Sequence, residues 1–183
     1  MIPLDNKALR KQALQARRAL SEEQRWRFSK QICELVYPLL KDARHIALYM
    51  ASEDEADLSF LLLPLLKEKN VYVPVCRANG EMDLCRLYGD SCMKENAYGI
   101  LEPEVHEIVD PSLIEVILVP MVAYDAQGNR LGHGMGYYDR YLAKSNALRI
   151  GIAFSCQKTD LIDAQSHDQA MDHIVDETRV YSF

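Results

Sequence analysis

No Cys-x-x-Cys pair and no Cys/His cluster with zinc-ligand spacing occurs in this chain, which argues against a structural zinc site. The five cysteines (Cys33, Cys76, Cys85, Cys92, Cys156) are odd in number with no secretion signal before them, the pattern of reduced thiols in a cytoplasm. The first residues are charged and polar, so a signal peptide is not expected. Long apolar runs are missing too. The longest, 60–66, contains Pro64 and falls far short of the roughly 20 residues that span a bilayer. Net positive charge is absent, and a formal charge of -6 argues against a general nucleic-acid binder, which needs a basic face. There is no repeat and no low-complexity segment. These absences leave a cytoplasmic protein of one domain over residues 1–183, with neither nucleic-acid nor membrane partners expected.

What charge there is divides unevenly. Residues 1–30 carry eight Lys/Arg against three acids, and residues 151–183 carry two against six. The two ends would suit one site holding phosphate and metal together, or two solvated surfaces.

Residues 6–20 suit a helix with Leu9, Ala13, Ala16 and Leu20 on one face. A second helix starts at Ser21, where Ser21 and Gln24 form a capping box, and Pro38 ends it. Residues 45–50 (HIALYM) read as a buried strand. Asp57 is placed to cap a helix over 58–69, kinked at Pro64. Strands are predicted at 71–75 and 82–87, the second a hairpin partner after an Asn79-Gly80 turn. Residues 115–120 (EVILVP) form a central strand, followed by a glycine loop and a helix from 136 to about 144. Residues 149–154 and 174–181 supply the last two strands. Strands alternating with helices imply a layered α/β sheet, partly parallel. Ligands in such sheets bind beyond the strand carboxyl ends, here the loops 51–57, 121–136 and 155–172.

Four of the eight glycines (Gly128, Gly132, Gly134, Gly136) fall within nine residues. Glycine lets backbone N–H groups face a ligand at close range, and a helix start favours an anion. Arg130 adds a forked cation suited to phosphate oxygens. Asp139 stands in the first turn of the expected helix, where an acid can hold a metal or stabilise the helix end. The spacing is neither the dinucleotide fingerprint nor a Walker loop.

The longer string 119–142 (VPMVAYDAQGNRLGHGMGYYDRYL) resembles the signature of the 5-formyltetrahydrofolate cyclo-ligase family almost throughout. The residues that carry it are Pro120, Asp125, Gly128, Arg130-Leu131-Gly132, Gly134, Gly136 and Tyr137-Tyr138-Asp139. Weaker similarity runs over nearly the whole chain. The resemblance implies a three-layer α/β/α fold with a central mixed, partly parallel sheet, similar to the CoA-transferase-like architecture. It implies ATP on Arg130, Leu131, Gly132, His133, Gly134, Met135, Gly136, Tyr137 and Tyr138, with Arg130 and Tyr138 as the catalytic candidates and Asp139 on Mg²⁺. His133, Gly134, Met135, Gly136 and Tyr137 would also border the folate. The family often has a small or basic residue where this chain has Met135.

Arg10 matches a family arginine that reaches the ATP phosphates, and the usual lysine four positions earlier is here Asn6, with Lys7 next. One helical residue is ~100° of rotation, so Lys7 replaces that lysine only if the helix start is unwound. Glu55 matches a folate-contacting glutamate and Met50 its apolar partner, with Met82 either another wall of that pocket or core. A carboxylate can accept two donors from a pterin ring. Asp168 corresponds to a second Mg²⁺ ligand, although Gln169-Ala170 replaces the usual Val-Pro, and Asp172 is read as a structural acid. His167 and His173 are set aside because Mg²⁺ prefers oxygen ligands. The activity implied is ATP- and Mg²⁺-dependent conversion of 5-formyltetrahydrofolate to 5,10-methenyltetrahydrofolate. The rival readings are a nucleotide-binding regulatory relative without folate activity and a Mg²⁺-dependent phosphohydrolase.

Overall fold

The computed structural model describes residues 5–77, 80–97 and 99–183, so Asn79 of the expected turn lies outside the described residues. Helix α1 (Asn6–Arg18) starts at Asp5, whose side chain accepts the Ala8 amide at 2.7 Å. Its buried stripe is Leu9, Ala13 and Arg17, spaced by four; of the other expected inward residues, Ala16 is half-buried and Leu20, past the helix end, packs half-buried against the core. Helix α2 (Glu22–Val36) carries the Ser21–Gln24 capping box in full and passes into a short 3₁₀ turn, Tyr37–Leu40, at Pro38. Helix α3 (Ser59–Glu68) keeps Pro64 inside it. Asp57 acts one residue earlier than a capping residue would. Its carboxylate accepts the Ser59 amide and hydroxyl, and Leu58 is the flanking residue.

The strands are β1 (His45–Ala47), β2 (Asn70–Cys76), β3 (Met82–Leu87), β4 (Met93–Glu95), β5 (Leu101–Pro103), β6 (Val116–Pro120), β7 (Ala123–Tyr124), β8 (Arg130–Leu131), β9 (Leu148–Ile152), β10 (His173–Val175) and β11 (Val180–Ser182), with helix α4 (Tyr137–Leu142) after β8. Seven of them form one sheet in the order β11-β10-β9-β6-β1-β2-β3. The five inner strands are parallel, and antiparallel β11 and β3 close the two edges. Strand β6 is the centre, apolar on both faces from Val116 to Val119, as a parallel strand covered on both sides must be.

Side chains alternate along these strands and so feed two apolar layers. Ile46, Val71, Val73, Leu118 and Val175 pack with Ile32, Val36, Leu61 and Leu65 of α2 and α3. Ala47, Tyr72, Ile117, Val119 and Ile174 pack with Tyr141 and Leu142 of α4 on the other side. The result is a three-layer α/β fold with a mixed central sheet. A third, smaller cluster joins Leu9 and Ala13 of α1 to Ala123 and Leu131 of the β7–β8 pair.

Three expected elements differ. The first strand, read as 45–50, stops at Ala47. The last strand, read as 174–181, is a hairpin of β10 and β11. Asp176 breaks it: its Oδ1 accepts the Thr178 and Arg179 amides and the Thr178 hydroxyl, which turns the chain back. Helix α4 is only six residues long, ending at Leu142 rather than near 144, so its terminus offers an anion little dipole. The β4–β5 hairpin was not legible in the sequence, because three-residue strands carry almost no periodicity. No helix among the described residues is long and apolar enough to cross a membrane.

Candidate active site

Strands β1 and β6 are parallel neighbours, but the chain leaves β1 toward β2 on one side and β6 toward β9 on the other. Their outgoing loops diverge and leave a crevice at the carboxyl ends. A cavity of about 560 Å³ occupies it, lined by Met50, Ser52 and Glu55 after β1, by Pro120 and residues 130–139 after β6, and by Gln165, His167 and Asp168 after β9. The three loops anticipated from the sequence therefore meet at one place.

The glycine loop is built from its base upward. Asp125 is 1% exposed and is the anchor: Oδ1 accepts the Gln127 and Asn129 amides, and Oδ2 accepts the Asn129 side chain and the Ile162 amide. The closed turn pairs β7 with β8 and holds Arg130 inside a strand, so its guanidinium is fixed rather than free. Arg130 Nη2 donates to Asp139 Oδ1 at 2.7 Å, and its Cζ lies 5.9 Å from the Tyr138 ring centre. Its Nε is buried with no hydrogen-bond partner among the described residues, an orphaned donor that an anion would satisfy. Gly136 has φ 69° and opens α4 in the left-handed region, where a side chain is strained. Arg10 reaches across from α1 and donates Nε to the Gly132 carbonyl at 2.9 Å.

On the other wall Glu55 is held at both oxygens. Oε2 accepts the Ser52 amide at 2.9 Å, and Oε1 lies 3.7 Å from His133 Nε2 and 3.9 Å from Arg17 Nη1. Burial alone would raise this carboxyl, but His133, the Ser52 amide and Arg17 outweigh it and hold it below the ordinary carboxylate value. Glu55 is therefore an ionised acceptor at neutral pH. Burial, then the Glu55 charge, push the Tyr138 phenol far above its ordinary value against the opposing effect of Arg130. Tyr138 thus stays a neutral hydrogen-bond donor and is no base.

Asp139 and Asp168 line the same cavity. Asp139 Oδ1 takes Arg130 and the Gln169 amide, and Asp168 Oδ2 takes the Gln165 amide. Asp139 Oδ2 has no hydrogen bond among the described residues, and Asp168 Oδ1 has none either but lies 3.6 Å from His167 Nε2. No group of three or more His, Cys, Asp or Glu among them is arranged to cage a metal. Two oxygen donors with open coordination fit Mg²⁺, which takes one or two carboxylates and completes its shell from phosphate and water.

Most of the residues singled out in the sequence converge here, and Lys7 is the correction. It is exposed and does not line the cavity. Asn6 does, and it is tied to the 155–172 loop by a 2.8 Å bond to the Asp163 carbonyl, which sets the helix rotation that turns Lys7 outward. Met82 is 6% exposed and is both core and cavity wall. Asp172 lies outside the cavity lining and accepts the Arg149 amide, a structural acid as expected. Sequence reasoning missed Tyr49, Asn96 and Glu102, which line the cavity, and the buried Arg17 behind it. The available signal for Arg17 was its place on the Leu9–Ala13 stripe.

The fold and site are those of a three-layer α/β protein with a crevice at the strand carboxyl ends, where Arg130, Asp139 and Asp168 line one cavity with Met50, Glu55 and Glu102. Residues 4–177 match the 5-formyltetrahydrofolate cyclo-ligase family, and the chain belongs to that enzyme family. It is 33% identical over 136 residues to the 5-formyltetrahydrofolate cyclo-ligase of Haemophilus influenzae, covering 70% of this chain and 73% of that protein. It is 28% identical over 179 residues to the Escherichia coli K12 protein of that name, covering 92% and 98%. Among solved structures, the NMR structure of Aquifex aeolicus 5,10-methenyltetrahydrofolate synthetase superimposes with a TM-score of 0.87 at 36% identity, over 96% of this chain and 91% of that one.

Proposed function

We propose that this chain converts 5-formyltetrahydrofolate and ATP into 5,10-methenyltetrahydrofolate, ADP and phosphate, with Mg²⁺ as cofactor. The observation that carries the proposal is the fixed Arg130 guanidinium and the ionised Glu55 carboxylate lining one cavity, in a chain of the cyclo-ligase family.

The chemical problem is that a formamide oxygen is a poor leaving group. Transfer of the γ-phosphoryl group to the formyl oxygen breaks its bond to ADP and makes that oxygen a good one. N10 then attacks the formyl carbon and gives up its proton, and phosphate departs with the formyl oxygen. The folate supplies the nucleophile, so the protein's task is positioning and charge neutralisation. Residues Arg130 to Tyr138 receive the nucleotide, with the Arg130 guanidinium supplying positive charge to the phosphates and Arg10 adding more from α1. Tyr138, kept neutral, donates a hydrogen bond to the transferring group. Met50, Glu55 and the stretch from His133 to Tyr137 border the folate, with Glu55 accepting the pterin's donors. Asp139 and Asp168 would hold Mg²⁺, which supplies neutralisation of phosphate charge when bound.

The test is the absorbance rise of the methenyl product on mixing protein, Mg²⁺, ATP and 5-formyltetrahydrofolate, with each component omitted in turn. Product that needs all four is expected. ATP binding in calorimetry with no product from the complete mixture would overturn the proposal.

A further inference from the structure

We infer that Arg17 is a positioning residue for Glu55, an inference that rests on the folate reading of that carboxylate. Arg17 is 2% exposed and does not line the cavity, so it acts on a ligand only through its neighbours. A guanidinium at that depth needs acceptors, since a buried charge without partners is costly. Its Nη2 donates to Asp54 Oδ1 at 2.8 Å, and its Nη1 lies 3.4 Å from the Met121 carbonyl and 3.9 Å from Glu55 Oε1. One side chain thus ties α1 to the loop after β1 and the loop after β6.

The consequence for Glu55 is geometric. The Ser52 amide fixes Oε2, and Oε1 lies between Arg17 Nη1 at 3.9 Å and His133 Nε2 at 3.7 Å, so the carboxylate is held at both oxygens, from outside the cavity lining by Arg17 and from within it by His133. Asp54 is clamped between Arg17 and Arg18, whose Nε stands 3.2 Å from Oδ2, which pins the residue next to Glu55. Arg17 follows Arg10 by two helical turns on one face of α1, so the same helix braces both walls of the cavity. A glutamate without this brace keeps other rotamers to sample, and binding then has to order it.

The experiment compares wild type, Arg17→Gln, Glu55→Gln and the double variant. We expect Arg17→Gln to raise the KM for 5-formyltetrahydrofolate on the order of tenfold while the KM for ATP stays within about twofold, and to add little further loss in the Glu55→Gln background. Amide hydrogen exchange should quicken at Ser52 and Glu55 and stay unchanged in β6 and β9. Arg17→Lys, which keeps the charge and loses the fork, should fall between, and it replaces Arg17→Gln if that variant does not fold. Equal loss for both substrates, or an undiminished folate penalty without Glu55, would show a merely structural role and overturn the inference. Were the wild type to give no methenyl product, the proposed function would fall by itself. Exchange at Ser52 and Glu55 would then decide, with unchanged protection in the variant sinking the positioning role.

Discussion

Glu55 and Asp139 are both acids on one cavity, yet their surroundings assign them different work. Glu55 lies among the Ser52 amide, His133 and the Arg17 guanidinium and stays ionised, which suits it to accept donors from a ligand. Glu55→Gln keeps the shape and replaces an acceptor by a donor. We expect a folate KM raised roughly tenfold or more, the size of an unpaired buried polar contact, with ATP affinity nearly unchanged. Identical folate constants in variant and wild type would reduce Glu55 to a loop acid. Asp139 is paired with Arg130 through one oxygen. Asp139→Asn leaves an oxygen able to accept that bond but removes the charge paired with the buried Arg130, so melting without ligand should fall below wild type. Asn is an uncharged and poorer Mg²⁺ ligand, so the stabilisation given by ATP and Mg²⁺ should require much more metal. Equal melting-temperature shifts in variant and wild type along a Mg²⁺ series at fixed ATP would remove Asp139 from the metal site and leave it a partner of Arg130.

Among the elements, the glycine loop depends most on backbone conformation. A Cβ at Gly136 would stand 2.7 Å from Arg140 Nη1 on a residue already at positive φ. Arg140 also donates to the Met135 carbonyl at 2.9 Å, so a shift there loosens the loop it fastens. Gly136→Ala should therefore cost about 1–2 kcal/mol of stability and weaken ATP binding. Gly89→Ala is the control, because nothing lies within 4 Å of its added Cβ. Equal melting temperatures for the two variants would contradict the strain argument. Helix α2 has the opposite character, since its start is satisfied within four residues by the Ser21–Gln24 box. Ser21→Ala is expected to lower stability by about 0.5–2 kcal/mol in denaturant titration and leave turnover unchanged. A change in either KM would mean that α2 reaches the site.

The molecule as a whole is closed at one sheet edge by Asp176. Burial alone would raise its carboxyl, but the Thr178 and Tyr124 hydroxyls and the Thr178 and Arg179 amides more than offset it and hold it below the ordinary value. A carboxyl whose native pKa is depressed stabilises the fold above its unfolded value of about 3.9, and that contribution is lost as pH falls through the native pKa. Asp176→Asn should melt lower at pH 7, because the amide nitrogen that replaces Oδ2 cannot accept from the Tyr124 and Tyr181 hydroxyls, yet show a shallower decline from about pH 5 downward. Parallel melting curves for the two proteins across that range would show that Asp176 is no source of acid sensitivity.

Features decided within a few residues were readable from the chain alone. The Ser21–Gln24 box, the all-apolar strand ending at Pro120, the Asp125-anchored glycine loop and the long string that carries the family signature each rest on neighbours in sequence. The carboxyl-end crevice was legible as well, since it follows from alternating strands and helices. What the tertiary structure alone decided depends on partners far apart. Arg17 meets Asp54 across 37 residues and Met121 across 104, so an arginine that composition assigns to a solvated face becomes the buried brace of a loop. Asn6 meets Asp163 across 157 residues, and that bond, with the Asp5 cap, turns Lys7 away from the cavity. Asp176 turns the last strand through local bonds to Thr178 and Arg179, but its other oxygen takes the Tyr124 hydroxyl from 52 residues earlier, a partner that only the fold supplies. In each case a buried polar group must find its partner, and only the folded arrangement determines which one is within reach.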